Sequence, residues 1–176
     1  MTINQSRWLM VAAAVVALAA GAWVARTMLF APSAAGKSAA ALIGVTLPDA
    51  DGKDQPLAQW SGKVLVVNFW ATWCAPCREE MPMFVRLQRE RGPDGLQFVG
   101  IAVDQADKVR QFAGEIELNY PALIGGYGAM ELSKTLGNSL MALPFTVIVD
   151  RSGRVAHTQL GPLKEEQLSA IVRQLI

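Results

Sequence analysis

The stretch from Val64 to Cys77 constrains this chain more than any other. Val64–Trp70 is a continuous apolar run, broken only by Asn68 and rich in β-branched and aromatic residues. Such a run reads as a central strand buried on both faces. Trp73-Cys74-Ala75-Pro76-Cys77 follows, and from there the apolar period changes. Met81, Phe84, Val85 and Leu87 fall on one helical side, and Arg86, Arg89 and Glu90 on the other. A buried strand therefore ends, and a helix begins, at the cysteines. These two are the only cysteines in 176 residues, so no disulfide framework staples the fold. It stands on its core, which the 52% of apolar residues can build.

The rest of the chain extends this pattern. Leu42 to Trp60 carries turn signals (Pro48, Asp51-Gly52, Pro56) between short apolar pieces and fits a small hairpin. Gly92-Pro93 stops the first helix. Gln97–Val103 reads as a second buried strand, and Asp107 as the N-cap of a helix containing Val109 and Phe112. Met130–Leu136 is a short helix ended by Gly137. Phe145–Val149, the turn Asp150-Arg151-Ser152-Gly153 and Val155–Gln159 read as a hairpin, and Leu163–Ile176 as a final amphipathic helix. Strands alternating with helices imply a parallel core sheet, to which the late hairpin adds an antiparallel part. The expected class is α/β, with a mixed sheet flanked by helices on both faces.

Ahead of the domain, Trp8–Ala25 is an uninterrupted apolar run between Arg7 and Arg26. About 18 or more such residues span a bilayer as a helix. A secretory signal peptide competes with that reading, because Ala20-Gly21-Ala22 resembles a cleavage site. The anchor is preferred, since the run continues past that site and Trp8 and Trp23 sit near its ends, where interfacial aromatics belong. Residues 1–30 are thus expected to form a single-pass anchor and 31–41, almost all Ala, Ser, Gly and Pro, a flexible spacer. The domain follows at 42–176, outside the cytoplasm if the N-terminus stays inside.

The position of the cysteines has chemical consequences. A helix N-terminus presents unpaired N–H groups and a partial positive charge, which stabilises a thiolate at Cys74. Pro76 fits the first turn, where its missing N–H is no loss. Two intervening residues bring the second sulfur about one helical turn on, so a disulfide can close and reopen. Cys74 is expected to be exposed and to attack a partner disulfide, and Cys77 to be more buried and to resolve the mixed disulfide.

The segment Val66–Pro82, VVNFWATWCAPCREEMP, resembles the active-site stretch of the TlpA/ResA-type thioredoxin-like proteins, membrane-anchored bacterial disulfide reductases. The resemblance extends from about Leu42 to the C-terminus and implies a thioredoxin-like fold. It implies that Cys74 is the nucleophile and Cys77 the resolving cysteine, and that Leu143-Pro144 is the cis-proline loop facing them, with the Leu143 backbone free to pair with an extended substrate peptide. Pro82 matches the kink of the long helix. Glu80 matches an acidic residue near the pair, able to shift thiol pKa values or relay protons; a solvated first-turn acid is the competing reading. Asn68 stands where thioredoxins carry a buried acid and cannot titrate. Phe145 follows the proline where a smaller or β-branched residue is usual. Trp73 is a candidate for partner contact, and Trp70 for either shielding the disulfide or core packing.

The implied function is reduction of disulfides in exported proteins, with electrons from a membrane donor. Cytochrome c maturation and copper-site assembly are typical tasks of the family. The implied location is the inner membrane, with the domain in the periplasm. No cofactor is called for, since two sulfurs carry the exchange. A net charge of +1 gives no reason to propose nucleic acid. A structural zinc site lacks its four ligands, because the chain offers two Cys and one distant His. Three alternatives stay open: a thiol oxidase of the same fold, a peroxidase, and a copper-binding chaperone that would recruit His157. The peroxidase lacks its usual residues, since Val67 and Ala71 stand where Pro and Thr are needed.

Overall fold

The computed structural model describes residues 38–176. The apolar run, the expected anchor and the spacer up to Lys37 lie outside the described residues. Among the described residues no helix is long and apolar enough to cross a membrane.

A short helix α1 (Ala40–Ile43) leads into an antiparallel hairpin of β1 (Thr46–Pro48) and β2 (Asp54–Pro56). The apolar run forms β3 (Val64–Trp70), and every residue of it is buried. α2 (Ala75–Arg91) follows, then β4 (Leu96–Ala102) and α3 (Ala106–Glu115). β5 (Ala122–Ile124), α4 (Gly126–Thr135), β6 (Phe145–Val149), β7 (Val155–Leu160) and α5 (Glu165–Leu175) complete the domain. The five-stranded sheet has the order β5-β4-β3-β6-β7. β3, β4 and β5 pair in parallel, while β6 and β7 add antiparallel. The mixed sheet is the one expected.

Side chains alternate across a strand, so β3 feeds two cores. Val64, Val66 and Trp70 pack with Met81 and Phe84 of α2, Phe112 of α3 and Val172 of α5. Leu65, Val67 and Phe69 pack on the other face with Leu42 of α1, Ala129 of α4 and Trp60. Phe84 stacks on Phe98 with centroids 5.1 Å apart. Each large side chain buried this way stabilises the fold by about 1.5–3 kcal/mol. α2 runs unbroken through Pro82, which has no N–H for the Arg78 carbonyl.

Several boundaries differ from the sequence expectation. β4 starts and ends one residue earlier, because Val64 pairs in register with Leu96. The N-cap of α3 is Gln105, not Asp107; Asp107 lies in the first turn and accepts from Arg110, where the helix dipole favours an acid. α4 begins at Gly126 rather than Met130, its first turn hidden by two glycines of low helix propensity. β5 escapes the sequence pattern because three residues carry no readable period. Residues 38–41, assigned to the spacer by composition, belong to the domain: Ser38 bridges to Arg154, and Ala39 is fully buried and donates its N–H to the Gly153 carbonyl.

Candidate active site

The loop between β3 and α2 carries the cysteines. Cys74 is the N-cap of α2 and Pro76 lies in its first turn. Cys74 and Cys77 form a disulfide with their Cα atoms 5.3 Å apart. Cys77 is wholly buried. Cys74 is 6% exposed, so the expectation of an exposed nucleophile is corrected: in the disulfide state this residue belongs to the buried cluster between the sheet and α2, α3 and α5. What access there is belongs to Cys74. The loop is held from β4. Asp104 Oδ2 accepts from the Thr72 N–H at 3.1 Å and from the Thr72 hydroxyl, and its Oδ1 accepts from the Gln105 N–H. Burial pushes the Asp104 carboxyl up, but the hydrogen bonds from Thr72 and Gln105 outweigh it and hold it below the usual range. The sequence reading missed this anchor; its only trace is a lone acid just after a buried strand.

Glu80 is buried beneath the pair, one helical turn beyond Cys77. Its Oε1 accepts from Asn68 Nδ2 at 2.9 Å and its Oε2 from the Leu163 N–H at 2.8 Å. The reading of a solvated first-turn acid is thereby overturned. Desolvation pushes its carboxyl up to about 7, against the lowering by the Leu163 and Asn68 hydrogen bonds. α5 starts at Glu165, two residues later than its apolar pattern suggests, with Lys164 as its N-cap. Asn68 Nδ2 donates to Thr146 Oγ1 on β6 as well, at 3.0 Å. Tyr120, also buried, packs at a tilt against Phe98 with ring centroids 5.6 Å apart. Burial first, and then the nearby Glu80 charge, raise its phenol well above the ordinary value.

The Leu143–Pro144 peptide is cis. Register places it at the same end of the sheet, since Phe145 pairs with Phe69 just before the site loop begins. Leu143 packs against both cores. Among the described residues its backbone N–H and C=O make no hydrogen bond. Asn138, fully buried, braces the preceding turn by accepting from the Ala142 N–H and donating to the Ala142 carbonyl. Trp70 is fully buried against Phe112 and is a core residue. Trp73 is 69% exposed and, with Tyr127, Asp104 and Lys108, lines a groove of about 380 Å³.

His157 does not join this site. It pairs with Ile148, three residues down the β6–β7 ladder from Phe145 and away from the cysteines. Among the described residues no group of three His, Cys, Asp or Glu side chains is arranged to hold a metal.

Residues 31–175 match the family model described as Redoxin. The thiol-disulfide oxidoreductase ResA of Bacillus thuringiensis is 31% identical over 128 residues, covering 72% of each chain. The thiol:disulfide interchange protein HelX of Rhodobacter capsulatus is 34% identical over 150 residues, 81% of this chain and 77% of that one. A thiol:disulfide interchange protein of Chlorobium tepidum superposes with a TM-score of 0.69 at 29% identity, over 82% of this chain and 96% of its own. A disulfide-bonded cysteine pair at a helix N-terminus, a cis proline at the same end of the sheet and these relatives agree: the chain belongs to the redoxin family and groups there with the thiol–disulfide oxidoreductases.

Proposed function

We propose that this protein is tethered to the inner membrane by residues 1–30 and reduces disulfides in exported proteins from the periplasmic side. The observation that carries the reading is the Cys74–Cys77 disulfide capping α2 above buried Glu80. In the reduced enzyme the Cys74 thiolate attacks one sulfur of a partner disulfide. A mixed disulfide forms and the partner's other sulfur leaves as a thiolate. The Cys77 thiol gives up its proton, its sulfur attacks Cys74 Sγ, and the 74–77 disulfide closes while the partner leaves with two reduced sulfurs. Two electrons pass to the partner. Glu80, with a carboxyl near neutrality, suits acceptance of the Cys77 proton. The Leu143 backbone, whose polar groups are unengaged, pairs with the extended partner segment, Pro144 shapes that loop, and Trp73 contacts the partner beside Cys74. Apocytochrome c and copper-site proteins are the substrate class the family suggests, and a membrane donor returns the electrons.

The test is the reduction potential of the Cys74–Cys77 pair, equilibrated in thiol–disulfide buffers and followed by tryptophan fluorescence. A reductant gives a value near that of thioredoxin, about −270 mV; a value near about −120 mV makes the protein an oxidant and overturns the direction of flow. The tether is tested by fractionation: the chain must stay with membranes after alkaline extraction, with its domain open to protease in spheroplasts.

A further inference from the structure

We infer that the pole of the domain remote from Cys74 is a docking face for an anionic phospholipid surface. The inference rests on the tether proposed above and goes beyond it by assigning the face turned to the lipid. β3 runs from Val64 to Trp70 toward the cysteines, about 20 Å at ~3.3 Å per residue. β4 runs the same way, while α2, β6 and α5 run the other way. α2 leaves Cys74 and ends at Arg91, β6 leaves Pro144 and ends at Val149, and α5 leaves the Glu80 contact and ends at Leu175. The far pole therefore gathers Lys63, the end of α2, the β6–β7 turn and the end of α5. The described chain also begins there, with Ser38 and Ala39 bonded to Arg154 and Gly153.

Charge is distributed unevenly between the poles. Lys63, Arg89, Arg91, Arg151, Arg154 and Arg173 are all exposed at the far pole. Glu90, Asp94 and Asp150 oppose them, which leaves a local charge of +3. Residues 38–176 contain 13 basic and 15 acidic residues, a net −2, so the remainder of the domain carries −5. Lys63, Arg151 and Asp150 line a groove of about 300 Å³ together with Trp60 and Leu65. Two cations against one carboxylate leave the groove a net positive charge, which suits an anionic headgroup.

Residues 31–37 separate the proposed anchor from the domain and reach at most about 25 Å. That short tether keeps the far pole at high effective concentration against the membrane, where weak attraction is enough to dock it. Each basic residue near an anionic surface favours the docked state by about fivefold. Docking points Cys74 away from the lipid, toward partners in the aqueous phase.

The experiment uses the full chain in nanodiscs of phosphatidylcholine, with or without phosphatidylglycerol, and reads amide hydrogen exchange. Slower exchange at residues 61–64 and 150–154 with phosphatidylglycerol, reversed by high salt, is the expected result. K63E combined with R173E should cancel it and leave turnover of a small soluble disulfide unchanged. Equal exchange in both lipids overturns the inference while leaving the tether intact. A chain that enters neither kind of disc overturns the tether, and this inference with it.

Discussion

Asn68 donates from Nδ2 to Glu80 Oε1 across 2.9 Å, while its own Oδ1 meets no partner among the described residues. The pair is matched to two protonation states. Both Glu80 oxygens accept hydrogen bonds, from Asn68 and from the Leu163 N–H, which suits a carboxylate. Burial favours the neutral acid instead. A neutral Glu80 needs an acceptor for its own O–H, and a rotation of the Asn68 amide presents Oδ1 for that purpose. A non-titrating residue at this position lets one acid titrate alone, without a second carboxyl to repel it.

Glu80 has a folded pKa raised from 4.5 to about 7. Between those values the native state holds a proton that the unfolded chain has released. Its contribution is therefore fully present below about pH 4.5 and is lost as pH rises through about 7, on the order of 3 kcal/mol in all. Glu80→Gln should flatten this decline. Urea unfolding of the oxidised protein at several pH values checks it, and parallel curves for the two proteins would refute the assignment.

Asn68→Leu removes both donated hydrogen bonds and leaves Glu80 Oε1 and the Thr146 hydroxyl without their shared donor. A loss of about 1–3 kcal/mol is expected. It should be larger at pH 8 than at pH 5, because the ionised carboxylate needs the donor more. The same unfolding series reads both quantities.

Asp104→Ala releases Thr72 and loosens the segment that leads into Trp73 and Cys74. About 1–2 kcal/mol of stability should go, together with part of the turnover. The folded pKa of Asp104 is depressed, so its contribution is present above the unfolded value of 3.8 and disappears as pH falls through the folded one. The gap between wild type and variant should hold from pH 5 to pH 8 and close in acid. Thr72→Ala should show a smaller loss of the same shape.

Cys77→Ser should accumulate a mixed disulfide at Cys74 with a small disulfide probe, visible as added mass on the intact protein, since no resolving thiol remains. Cys74→Ser should accumulate far less, because Cys77 is wholly buried. Equal trapping by both variants would reverse the assigned roles.

Gly100→Ala tests the packing around Trp70 in the core. A Cβ at this position would come within 2.8 Å of Trp70 Nε1, and Trp70 is fully buried. Overpacking of this kind costs about 1–3 kcal/mol. Tryptophan emission should shift along with the unfolding midpoint.

The family resemblance marked the proline loop, while the residues alone carried the α/β class, the central strand and the helix that starts at the cysteines. These follow from local information: period, turn residues and a short spaced motif, each readable within a few residues. The contacts that cross the chain came only with folding. Glu80 could be read as solvated or buried until Leu163, 83 positions away, and Asn68 closed over it. Asp104 was invisible as an anchor because its partner Thr72 lies 32 residues earlier. Cys74 lost most of its expected exposure because neighbours from separate elements cover it. Burial and hydrogen bonding depend on what the folded chain brings alongside a residue, and no local pattern carries that information.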